Sequence, residues 1–110
     1  MKAEEFGVIT TTVAEAADAD RLAALLLEEK LAACVQIMRV ESRYVWKGET
    51  NHTPEVMLLI KTRRSLFSAV MEKLMAEHPY ETPDIVATPF IAALPAYLDW
   101  MEESTKAPEA

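Results

Sequence analysis

The chain has 110 residues, 51% of them hydrophobic, with 18 acidic against 11 basic side chains and a formal net charge of −7. That length suits one domain with a real core, and no apolar run approaches the ~20 residues of a membrane-spanning helix. The acidic balance argues against nucleic acid as a partner, and the single Cys34 rules out an internal disulfide and fits a reducing compartment.

The first residues, Met1-Lys2-Ala3-Glu4-Glu5, lack the basic and apolar regions of a signal peptide, so export is not expected. Phe6 to Thr11 reads as a first strand, rich in β-formers. Thr12-Val13-Ala14-Glu15 matches a capping box and predicts a helix to about Lys30, with Ala19, Leu22, Ala23 and Leu26 as its apolar stripe. Ala32 to Trp46 is a long extended candidate. Lys47-Gly48-Glu49 supplies a turn, and Glu55 to Thr62 returns as an apolar strand. Pro54 cannot donate to a ladder and marks an edge or bulge.

Ser65 is placed to cap a second helix, with Phe67, Val70, Met71, Leu74 and His78 on one side. Pro79 disfavours the α conformation for His78 and stops that helix. The stiff polar run His78-Pro79-Tyr80-Glu81-Thr82-Pro83 must then cross the edge of the protein, either as a binding loop or as a helix stop with a solvated His. Ile85 to Thr88 opens a fourth strand. Pro95 suits the first turn of a last helix, Ala96 to Ser104, anchored by Tyr97, Trp100 and Met101. Residues 105–110 read as a frayed polar tail.

The order β-α-β-β-α-β predicts an α+β fold, a split βαβ antiparallel sheet with both main helices on one face. The hairpin is too long for a sheet of this width, and its strands are apolar on both sides. That surplus asks for association with further chains.

Several blocks resemble the CutA family, the divalent-cation tolerance proteins. They are Glu29-Lys30-Leu31-Ala32-Ala33-Cys34-Val35, Tyr44-Val45-Trp46-Lys47-Gly48-Glu49, Leu59-Ile60-Lys61-Thr62, the His78–Pro83 run, and Pro95-Ala96-Tyr97-Leu98-Asp99-Trp100. The resemblance implies a single ferredoxin-like domain over residues 1–104 that assembles as a homotrimer, with hairpin arms pairing between subunits. It further implies a cytoplasmic protein linked to tolerance of copper and other divalent metals, with no established reaction. In the family's bacterial copper site, the ligands are a Cys after the first strand and two adjacent His before the Pro-Tyr. The matching positions here are Thr11, Glu77 and His78. The implied metal candidates are therefore His78 and Glu77, with copper(II) or another divalent cation bound weakly for want of the thiolate. No cofactor is required, and neither nucleic acid nor membrane is an expected partner.

Six further residues are candidates for a cleft between subunits: Cys34, Tyr44, Trp46, Lys61, Tyr80 and Glu81. Four of them have a plainer reading. Cys34 suits a small buried hydrophobe, Lys61 a snorkelling strand end, and Tyr44 and Trp46 hairpin packing or trimer contacts. Two other functions stay open. One is a small-molecule-sensing trimer resembling PII signalling proteins, which the short hairpin tip, Gly48 to Thr53, disfavours. The other is a cleft enzyme using Cys34, Lys61 and Glu81.

Overall fold

The computed structural model describes residues 1–107, and their order is β1 (Phe6–Val13), α1 (Ala16–Glu28), β2 (Cys34–Trp46), β3 (Glu49–Arg63), α2 (Phe67–Glu77), β4 (Ile85–Pro89) and α3 (Pro95–Ser104). The strands form one antiparallel sheet in the order β2-β3-β1-β4, the expected split βαβ arrangement.

Alternation along β3 decides where the core lies. Val56, Leu58, Ile60 and Thr62 are buried, and the residues between them are half-buried. The buried face packs against Leu22 and Leu26 of α1 and Val70 and Leu74 of α2. Each such leucine contributes roughly 2 kcal/mol relative to leaving it in water.

Helix starts differ from the local signals. The capping box at Thr12 does not form, because β1 continues through the Val13↔Val56 pair and Thr12 stays in the ladder. Its hydroxyl donates to Asp84 instead, and α1 begins after Glu15, whose side chain makes no capping bond. Ser65 does not cap either. It lies in a 3-10 turn, Arg64–Leu66, and α2 follows from Leu66. The end of α1 is better specified: Lys30 takes φ +56°, the Leu31 amide donates to the Leu26 carbonyl at 2.9 Å, and Leu31 is buried.

The hairpin turn is tight. Lys47 and Gly48 have φ of +50° and +80° between the paired Trp46 and Glu49, so residues 49–53 are strand, not a loop tip. Pro54 lies opposite Glu41, just beyond the part of β3 that pairs with β1, as an edge position requires.

Helix α3 covers only one corner of the other sheet face. Leu98 and Met101 pack with Phe6 there, while Trp100 is 42% exposed and is not the expected anchor. The expected fray also needs correction at its start. Thr105 is buried, donates to the Met101 carbonyl and accepts from Arg63 Nε, and the Lys106 amide donates to the Lys30 carbonyl. Residues 108–110 lie outside the described residues. The rest of this face is open, with Met38 and Val86 more than half exposed.

Candidate binding groove

Where β1 runs out, the hairpin and the loop after α2 enclose a groove. It begins from the helix stop. His78 takes an extended conformation (φ −72°, ψ 135°), as Pro79 dictates, but it is buried rather than solvated. Its Nδ1 accepts from the Tyr80 amide at 3.1 Å, which places the proton on Nε2. Nε2 lies 3.0 Å from both the Thr12 carbonyl and Thr11 Oγ1. Both nitrogens of a neutral ring are thus engaged, and the ring bolts the loop to the end of β1. Burial pushes the His78 pKa below its usual value, against the raising effect of the Thr12 carbonyl and of Asp84 and Asp18; Arg21 lowers it further.

The bolt aims Tyr80 across the sheet end. Its hydroxyl donates to Glu55 Oε2 at 2.6 Å, one residue past the last β1–β3 pair. Burial pushes the Tyr80 pKa well up, Glu55 reinforces this, and Tyr44 and Asp84 are close enough to add to it. Asp84 Oδ1 accepts from both the amide and the hydroxyl of Thr12, at 3.2 and 2.7 Å. The resulting groove, about 850 Å³, is lined by Thr12, residues 41–44, Trp46, Glu55, Pro79, Tyr80, Glu81, Thr82 and Asp84. Tyr44 Oη is 3.1 Å from Thr53 Oγ1, which steadies that ring at the wall.

The expected site residues divide into three groups. Tyr44, Trp46, Tyr80 and Glu81 share the groove. Cys34 and Lys61 pair with each other in the ladder at the far end of the sheet, and Lys61 Nζ sits 5.5 Å from the centre of the Tyr97 ring. Lys61 lies six positions along β3 from Glu55, about 20 Å of strand, so Lys61 does not pair with Glu81 within one chain. The third group is the pair implied as metal ligands, which does not converge. His78 turns inward with no ring nitrogen free, and the Glu77 carboxylate is held by Arg21 at 3.1 Å on the surface. Thr11 Oγ1 is also taken, and among the described residues no group of three or more His, Cys, Asp or Glu side chains could hold a metal ion. Alone, this chain's residues do not fit a closed metal centre.

Sequence reasoning missed Glu55, Asp84 and Thr12. Thr12 was claimed by a helix-capping signal. Asp84 carried a usable one, since an Asp directly after Pro83 on a stiff loop is a ready acceptor for a strand end.

Residues 7–104 match the family described as CutA1 divalent ion tolerance protein. Protein CutA 1, chloroplastic, from Oryza sativa subsp. japonica is 40% identical over 100 residues, covering 90% of this chain and 56% of the rice protein. The divalent-cation tolerance protein CutA of Thermus thermophilus is 41% identical over 99 residues, covering 89% and 96%. The structure of the periplasmic divalent cation tolerance protein CutA from Archaeoglobus fulgidus superposes with a TM-score of 0.89 at 37% identity, over 92% of this chain and 99% of that one. The chain thus spans little more than half the length of the plant relatives it matches. These relatives correct one expectation: described as chloroplastic and periplasmic, they do not carry a cytoplasmic assignment over to this chain. No helix among the described residues is long and apolar enough to cross a membrane.

Proposed function

We propose that this chain, which belongs to the CutA1 divalent ion tolerance family, works as a non-enzymatic homotrimer that takes part in divalent-cation tolerance by holding cations loosely. The groove carries this reading. Glu55, Glu81 and Asp84 line it, and among the described residues none of the three has a salt-bridge partner. Carboxylates fixed without an internal cation favour an external one. With so few converging donors, an ion there keeps most of its water, and affinity falls well short of a closed structural site. A metal at His78 would have to displace the Tyr80 amide or the Thr12 carbonyl, so His78 and Glu77 are read as fasteners.

Calorimetric titration with copper(II) and zinc(II) tests this. Weak binding is expected in the wild type, and a drop of about tenfold in Glu55→Gln/Glu81→Gln, since a lost charge-assisted contact is worth at least ~1.4 kcal/mol. Binding that survives the double change but vanishes in His78→Asn would return the metal to His78.

The trimer is supported by the uncovered sheet face and by β3 residues 49–55, which extend past β1. Light scattering coupled to size exclusion is expected to report three times the 12.3 kDa chain mass. A value of one or two chain masses would reject it. Of the alternatives, PII-like sensing fits less well with a two-residue turn at the hairpin tip. A cleft enzyme would need Cys34 and Lys61 of one chain brought to Glu81 of another, since within one chain they lie at the far end of the sheet from it.

A further inference from the structure

We draw no further inference here: the strongest candidate, the Glu41–His52 pair on the hairpin arm, whose carboxylate oxygen and ring nitrogen stand 2.9 Å apart as two cation ligands would, lies on the arm that the trimer reading gives to contacts between copies, so its exposure in one chain does not show a free site.

Discussion

Replacing Gly7 by Ala is expected to destabilise the fold by about 3 kcal/mol, the upper end of what overpacking a tight site costs. Gly7 sits in β1 between Thr62 on one side and Pro89 on the other. A Cβ there would collide with the Thr88 carbonyl oxygen and come within 2.6 Å of Phe67 Cζ and 2.9 Å of Pro89 Cα. The phenyl ring could swing aside. The Thr88 and Pro89 backbone could move only by prising β4 from β1, and β4 carries Ile85 and Ala87 into the main core. Gly48 is the internal comparison. It has φ +80°, but a Cβ added there would meet nothing within 4 Å, so Gly48→Ala faces conformational strain alone, about 1 kcal/mol. Urea unfolding of both variants beside the wild type checks this. If Gly7→Ala costs no more than Gly48→Ala, β4 is not clamped as tightly as the backbone contacts imply.

Much of the fold was legible because its signals are periodic. The Ala19, Leu22, Ala23 and Leu26 stripe and the apolar run Val56 to Ile60 of the returning hairpin arm each report burial on their own element; all four helix residues are buried, and Val56, Leu58 and Ile60 with them. Pro79 and Pro95 were equally readable, since proline restricts the backbone wherever it stands. Local polar signals failed where a distant partner competed for the same group. Thr12 and Glu15 have the spacing of a capping box, but the ladder to Met57 and the carboxylate of Asp84 take Thr12 first. Trp100 has the spacing of an anchor, but α3 reaches the sheet over one corner only, where Leu98 and Met101 suffice.

The groove was half legible for the same reason. Tyr44, Trp46, Tyr80 and Glu81 drew attention as chemically unusual residues in stiff or extended segments. Glu55, Thr12 and Asp84 joined them only through contacts 25 and 72 residues apart in sequence, which no local pattern encodes. The burial of His78 depends likewise on Thr11, 67 residues earlier. A histidine before a proline looks solvated until a strand end arrives to cover it.

That buried ring makes the second large prediction. His78→Ala is expected to cost about 3–4 kcal/mol, combining the lost packing with the loss of partners for the Thr12 carbonyl, Thr11 Oγ1 and the Tyr80 amide. The pH dependence has a definite sign. Burial favours the neutral ring, so the folded pKa lies below the unfolded value of 6.5. Between the two values the unfolded chain binds the extra proton, so its share of the stability is complete above pH 6.5 and erodes as pH falls toward the folded pKa. Protonation would put a hydrogen on Nδ1, which must then repel the Tyr80 amide it now accepts from, releasing the loop that carries Tyr80 to Glu55. Asp84 and Asp18 oppose the loss by favouring the charged ring, and Arg21 assists it. His52, exposed on the hairpin beside Glu41, is a second imidazole, so the wild-type curve alone does not isolate the effect. The measurement is urea stability from pH 8 to pH 5 for the wild type and His78→Asn, which keeps a short polar side chain and removes the titration. The wild type should lose more stability than the variant across that interval. Parallel curves would mean that the ring titrates alike in both states and is not the bolt that holds the groove wall.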